Sequence, residues 1–247
     1  MKIVGVIPAR YASTRFPGKP LADIGGKSMI QRVYEQVKKA SLIDQVVVAT
    51  DDDRIFDHVK TFGDACMTKS THPTGTDRCY EAYTLLKSDF DYIINIQGDE
   101  PFIQPDQIDQ LASCLDGNTE IATLIKKIEL EEELFNIGEV KVVKDKNNRA
   151  LYFSRAAIPF LRNIPQEKWF ASHTYYKHIG LYAFRSDIIK AVCALPVSKL
   201  EDAESLEQLR WMENGYNVTC AETLTESLCI ETPEDLKRAV EYLKQLS

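Results

Sequence analysis

Lys2-Ile3-Val4-Gly5-Val6-Ile7-Pro8-Ala9-Arg10-Tyr11-Ala12-Ser13-Thr14-Arg15-Phe16-Pro17-Gly18-Lys19 decides how this chain is read. Lys2 to Ile7 is a nearly unbroken apolar run, the pattern of a buried strand, and Pro8 is expected to end it because proline brings no ladder donor. A loop punctuated by glycine and proline then runs through Gly26, and Met29 to Ala40 carries apolar residues at helical spacing. Val46-Val47-Val48-Ala49 is a second run, stopped by Asp51-Asp52-Asp53, with a short helix over Ile55 to Phe62. Asp77 to Leu86 suits a helix, and Tyr92 to Ile96 is a strand leading straight into Gly98-Asp99-Glu100. Apolar strands separated by helices imply an α/β fold with a mixed, mostly parallel sheet and helices on both faces. The polar loops after Ile7, Ala49 and Ile96 would then open on one rim, beyond the strands' carboxyl ends.

Farther along, Asp106 to Leu115 is a helix candidate and Ile121 to Ile125 returns to the sheet. Val140 to Val143 and Ala150 to Phe153 flank Lys144 to Arg149, which reads as a β-hairpin. Residues 126–176 are expected to form an inserted arm or small lobe used in dimer contact. The 247 residues otherwise remain one domain, since His178 to Phe184 looks like another core strand. Ala203 to Met212 is expected to be a single helix, with Glu204, Glu207 and Gln208 sharing a face, and Val218 to Ala221 a strand. Thr232-Pro233-Glu234-Asp235 is a helix start, with a capping hydroxyl, a proline in the first turn and acids at the positive end. Leu236, Ala239, Val240 and Leu243 supply its buried stripe.

Composition narrows the function. A net charge of -7, from 37 acidic and 30 basic residues, with no block of basic residues, argues against a nucleic-acid partner. No stretch is long and apolar enough for a membrane span. The apolar run after Met1 is too short for a signal peptide, and the six cysteines contain no CxxC pair, so reduced thiols and a cytoplasmic location are expected.

Against this acidic background, Arg10, Arg15 and Lys19 gather in ten residues with Ser13 and Thr14 between them. After a first buried strand, such a loop can wrap a polyphosphate, the arginines as planar forks and Lys19 as a compact charge. A solvated basic turn is the plainer alternative. Gly25-Gly26-Lys27-Ser28 lacks the first glycine of a P-loop, whose place is taken by Leu21, and no GxGxxG follows Ile7. In Gln97-Gly98-Asp99-Glu100, glycine beside two acids at a strand end can turn one carboxylate toward Mg²⁺. His72 to Arg78 offers small polar groups for a base or ribose, or Asp77 as a helix cap. Arg155, His178, Tyr182, Glu207 and Gln208 suit an acceptor bearing a carboxylate and hydroxyls.

With these motifs in order, the chain resembles the 3-deoxy-manno-octulosonate cytidylyltransferase (CMP-Kdo synthetase) family over essentially its whole length. The matching segments are Ile7 to Leu21, Gly75-Thr76-Asp77-Arg78, Asn95 to Pro101, Ala150 to Arg155, His178 to Tyr182, Leu206 to Arg210 and Thr232 to Leu236. The resemblance implies a nucleotide-diphospho-sugar transferase fold with a hairpin-bearing dimerisation region, a homodimer and Mg²⁺ as cofactor. The implied reaction transfers CMP from CTP to the anomeric hydroxyl of 3-deoxy-D-manno-octulosonate (Kdo), releasing pyrophosphate.

It also implies residue roles. Arg10, Arg15 and Lys19 would hold the CTP phosphates, with Gly75 and Arg78 at the cytidine and Pro8, Ala9, Ser13 and Thr74 completing the nucleotide site. Asp99 would bind metal. Gln97, Arg155, His178, Tyr182, Glu207 and Gln208 would surround the sugar acid. Where the family commonly has Asp-Thr-Pro, this chain has Glu231-Thr232-Pro233. The metal-ligand role falls on Glu231, whose carboxylate reaches one methylene farther and leaves room for a shifted or water-mediated contact. Two alternatives stand beside this reading: a related cytidylyltransferase for another 3-deoxy-ulosonic or amino-sugar acid, and a non-catalytic nucleotide-binding module.

Overall fold

The structure is a computed structural model that describes residues 1–12 and 16–245. Its chain divides into two compact units, residues 1–113 with 227–247, and residues 114–226. The second unit is wider than the expected arm at 126–176.

The first unit opens with β1 (Ile3–Ala9), α1 (Met29–Val37), β2 (Gln45–Thr50) and α2 (Asp53–Val59). It continues through β3 (Ala65–Met67), α3 (Gly75–Leu85), β4 (Tyr92–Asn95) and α4 (Pro105–Ala112). Its strands lie in the order β3-β2-β1-β4, all pairs parallel. Both faces are covered, as β1 shows by alternation. A Cβ on Gly5 would stand 3.2 Å from Val37 of α1, whereas Pro8, of opposite parity, lies under Gly75 of α3.

Pro8 does not end β1. The strand continues to Ala9, with Pro8 paired to Ala49 and Ala9 to Thr50. The β4 ladder stops at the Val6–Asn95 pair, and Ile96 N donates to Val6 O. The missing Pro8 donor therefore points to a side where no ladder bond was due.

The second unit begins with β5 (Ile121–Lys127), α5 (Glu131–Phe135), β6 (Lys141–Lys144), β7 (Ala150–Ser154) and α6 (Trp169–Ser172). After it come β8 (Tyr176–Arg185), α7 (Ser186–Cys193), α8 (Lys199–Glu204), α9 (Glu207–Glu213) and β9 (Val218–Glu222). Strand β5 lies between antiparallel β8 and parallel β9. The expected hairpin is present: β6 pairs antiparallel with β7, and Asp145 Oδ1 accepts from Asn147 N and Arg149 N to close the turn. Strand β6 also pairs with β8, Lys141 opposite Lys177.

The single helix expected over 203–212 is two helices. Ser205 takes a left-handed φ of 52° and caps α8, so Glu204 belongs to α8 while Glu207 and Gln208 open α9. The shared face proposed for these three residues does not form.

The chain returns to the first unit in α10 (Pro233–Gln245). Its start is the reciprocal cap expected: Asp235 N donates to Thr232 Oγ1 and Thr232 N to Asp235 Oδ2, at 3.2 and 2.9 Å. Ala239 is buried, and Leu236, Val240 and Leu243 pack with it against Ile24, Met29, Phe102 and Ile230. Fully burying a side chain of leucine size contributes about 1.5–3 kcal/mol, so this stripe anchors the segment that carries Glu231. No described helix is long and apolar enough to cross a membrane.

Candidate active site

A cavity of about 400 Å³ opens at the carboxyl ends of the first unit's strands. It is lined by Pro8, Ala9 and Arg10 at the end of β1, Lys19 farther along that loop, Gly75 at the start of α3, and Gln97, Gly98 and Asp99 beyond β4. The loops after β1 and β4 thus meet on one rim, as their sequences implied. Gly98 allows the meeting, because a Cβ there would stand 2.9 Å from the Pro8 carbonyl oxygen.

Lys19 follows a tight turn at Gly18, whose φ of 71° suits glycine. Its Nζ lies 2.7 Å from Asp99 Oδ2 and also donates to Ile230 O at 3.0 Å. Ile230 N in turn donates to Asp99 O. The basic loop, the acidic loop and the segment before α10 are thereby tied together, with Glu231 next in the chain after Ile230. Glu100, beside Asp99, is buried and accepts from Ser227 Oγ in the same segment. Ser13 and Arg15 lie outside the described residues.

Of the two carboxylates assigned to a metal from the sequence, Asp99 lines the cavity, and Glu231 follows Ile230, whose N donates to Asp99 O. No group of three or more His, Cys, Asp or Glu side chains gathers at metal-holding spacing among the described residues. A Mg²⁺ site completed by substrate needs fewer, since the ion keeps several waters and takes one or two protein carboxylates with phosphate oxygens. The donor set fits that kind of site.

Thr74 caps α3, and Asp77 answers it from the third position, so the cap that sequence reading offered to Asp77 belongs to Thr74. One turn on, Arg78 is fully buried. Its Nη1 donates to Thr68 Oγ1 at 2.6 Å and lies 3.2 Å from Asp51 Oδ1, while Nε and Nη2 have no hydrogen-bond partner among the described residues. Burial holds this guanidinium below its ordinary pKa; Asp51 opposes the shift and Arg10 adds to it. Buried donors without partners are uncommon, which sets Arg78 apart from the satisfied side chains around it. Asp51 and Thr68 were not singled out in the sequence. The run Asp51 to Asp53 after β2 was the available signal, since it occupies the same rim.

Within the second unit, His178 Nε2 lies 2.9 Å from Thr123 Oγ1, and its ring packs 5.4 Å from Phe153 and 5.0 Å from Tyr182. Burial, with Glu207 adding to it, pushes the Tyr182 phenol well above its usual range. Gln208 is buried. His178, Tyr182 and Glu207 therefore do gather. Arg155 is placed differently: its guanidinium donates to the backbone carbonyls of Glu204, Ile137 and Ser205, and Glu204 Oε2 accepts from Arg155 N. It fastens loops of its own unit.

Burial lowers the His178 pKa to about 4 from 6.5. The folded state thus favours the neutral ring, so its contribution to stability is complete above pH 6.5 and is lost as pH falls toward 4. The ring is only partly shielded, and the loss between pH 7 and pH 4.5 is expected to be about 1–2 kcal/mol larger in the parent than in His178→Gln. Urea midpoints at the two pH values measure it; equal losses in the two proteins would contradict the assignment.

A cytidylyltransferase family model matches residues 4–223. The chain is 56% identical to the 3-deoxy-manno-octulosonate cytidylyltransferase of Parabacteroides distasonis, over 98% of each chain. It is 57% identical to that of Cytophaga hutchinsonii, over 96% of each. A solved structure of CMP:2-keto-3-deoxy-manno-octonic acid synthetase in complex with CTP superposes with a TM-score of 0.92 at 41% identity, covering all of both chains. The 4-diphosphocytidyl-2C-methyl-D-erythritol synthase of Anaerococcus prevotii, at a TM-score of 0.62 and 15% identity, shares the fold.

Proposed function

The chain belongs to the 3-deoxy-manno-octulosonate cytidylyltransferase family, and we infer that it transfers CMP from CTP to the anomeric hydroxyl of Kdo, yielding CMP-Kdo and pyrophosphate for lipopolysaccharide biosynthesis. The observation that carries this reading is the contact of Lys19 with Asp99, 2.7 Å apart on a rim beside a cavity lined by Arg10 and Gly75. A cation and a carboxylate so placed serve opposite partners of one triphosphate: the cation its oxygens, the carboxylate a metal that neutralises them.

The chemistry is one displacement. The acceptor hydroxyl gives up its proton to solvent and its oxygen forms a bond to the α-phosphorus as the bond from that phosphorus to the bridging oxygen breaks, and the β- and γ-phosphates leave together. Charge grows on the leaving oxygens, so Lys19 and Arg10 contribute most when their attraction is greater in the transition state than in bound CTP. Arg15 and Ser13 share the phosphate-loop task by their place in the same sequence motif. Asp99 and Glu231 would hold Mg²⁺, which when bound supplies further neutralisation of the phosphate oxygens.

Pro8, Ala9 and Gly75 line the cavity and are assigned to the nucleotide together with Thr74, the cap of α3, while the buried Arg78 one turn on is assigned to the cytidine end. Within the second unit His178, Tyr182, Glu207 and Gln208 are assigned to the sugar acid, with Arg155 shaping that region through its backbone ties; Gln97, on the first unit's cavity, keeps the sugar-acid role that its motif implies. The protein works as a cytoplasmic homodimer.

Pyrophosphate release with CTP and Mg²⁺ tests the substrate against a panel of Kdo, 8-amino-Kdo and N-acetylneuraminate. Kdo is expected to give the highest kcat/KM. Negligible release with Kdo but turnover of another acid would reject the assignment, and nucleotide binding without release with any of them would leave only a binding module.

A further inference from the structure

We propose that Glu81 and His72 are positioning residues for Arg10, holding the loop whose carbonyls aim that guanidinium at the nucleotide. The inference rests on the nucleotide reading of the cavity given above. Glu81 lies on α3, one turn beyond Arg78 and away from the cavity lining. A single carboxylate oxygen, Oε2, accepts from Lys69 N at 2.8 Å and pairs with His72 Nε2. The two side chains are only 19% and 16% exposed, so solvent competes weakly for this contact. At its other end the loop is fixed by the Thr74–Asp77 cap, also on α3. Residues 69–74 are thus pinned to one helix at both ends.

Arg10 reads the result. Its Nη2 donates to His72 O and, at 3.4 Å, to Thr74 O, the two carbonyls that the pinned loop presents. Arg10 itself lines the cavity beside Gly75 and Asp99. Charge acts in the same direction as geometry. Arg10 and Arg78 repel one another, and Glu81 attracts Arg78, which eases the placement of two guanidinium groups in one region. Burial alone would raise the Glu81 carboxyl, but His72 and the Lys69 amide hold it below the usual range, so it remains ionised at neutral pH.

A loop staple without this role would lower stability and leave substrate constants alone. The positioning role predicts a split. Glu81→Ala should raise KM for CTP about tenfold, the equivalent of about 1.4 kcal/mol and just below the range for losing a charged hydrogen bond, as suits an effect passed on through Arg10, while KM for Kdo stays within about twofold. Glu81→Gln, which still accepts from Lys69 N, should recover part of the loss. His72→Leu, which keeps the carbonyl that Arg10 uses, should resemble Glu81→Ala and serves if that variant folds poorly.

The deciding measurement is a double-mutant cycle on CTP affinity by calorimetry, combining Arg10→Ala with Glu81→Ala and with His72→Leu. Loss of the Glu81 and His72 effects in the Arg10→Ala background supports the proposal. Effects that add fully to Arg10→Ala overturn it, as does an unchanged CTP affinity in folded Glu81→Ala and His72→Leu. An unchanged affinity in Arg10→Ala itself would overturn the nucleotide reading and this proposal with it.

Discussion

Asp99→Ala is expected to lower kcat by about a thousandfold while the melting temperature moves by only a few degrees. The kinetic part follows from what the carboxylate faces: it lines the cavity and meets Lys19. A preorganised electrostatic group aimed at developing charge contributes on the order of 10²–10³ in rate, and loss of a metal's hold on phosphate adds to that. The small stability change follows from exposure. Asp99 is 25% and Lys19 18% exposed, and an ion pair in that range contributes about 0–1 kcal/mol. In a chain of 247 residues, 1 kcal/mol shifts the midpoint by about 2–4 °C. The backbone ties at position 99 survive, because Ile230 N bonds to the main-chain oxygen. Asp99→Asn keeps size and removes charge, and should lose nearly as much rate. Turnover assayed across magnesium concentrations beside a thermal melt decides the matter: a folded variant with parental turnover throughout would remove Asp99 from the reaction.

Much of this rim was readable from residue order. Three apolar runs each lead into a polar loop, and in a parallel arrangement such loops share an edge, so residue order alone puts Arg10, Lys19 and Asp99 together. Residues whose significance arises only from side-chain pairing were not readable. Lys177 is a case: it shares the buried parity of Ile179 and Leu181 in β8 and is satisfied by Glu133 and Glu226, which are distant in sequence. Lys141, also buried, ends on the backbone carbonyls of Asn136 and Glu139. A lysine in a strand reads as an exposed residue unless its partners are known. The break at Ser205 was hidden for another reason, since nothing about serine requires a left-handed φ, and the flanking apolar spacing continued across it. Glu81 carries no motif of its own, and its value lies in reaching His72 and Lys69 across a loop.

Lys19→Ala should reduce kcat by about a hundredfold or more and weaken CTP binding by a smaller factor. The distinction rests on where the ammonium sits. Its Nζ lies between Asp99 Oδ2 and Ile230 O, on the rim of the cavity, where it serves as a compact charge for phosphate and a tie to the segment leading into α10. Bound CTP carries its charge over many oxygens that, on the proposed reading, Arg10 and Mg²⁺ would also engage, so removing one cation would leave most of the ground-state attraction. As pyrophosphate departs, charge concentrates on the leaving oxygens, and a fixed point charge in a partly desolvated place matters more. Lys19→Arg should not restore the rate, because a planar fork on a longer stem cannot occupy the narrow space between a carboxylate and a carbonyl oxygen in the same way. Single-turnover measurement at saturating CTP isolates the chemical step from binding. A rate per bound CTP equal to the parent's would reduce Lys19 to a structural tie. Recovery by arginine would show that charge alone, and not its placement between Asp99 and Ile230, is what the reaction needs.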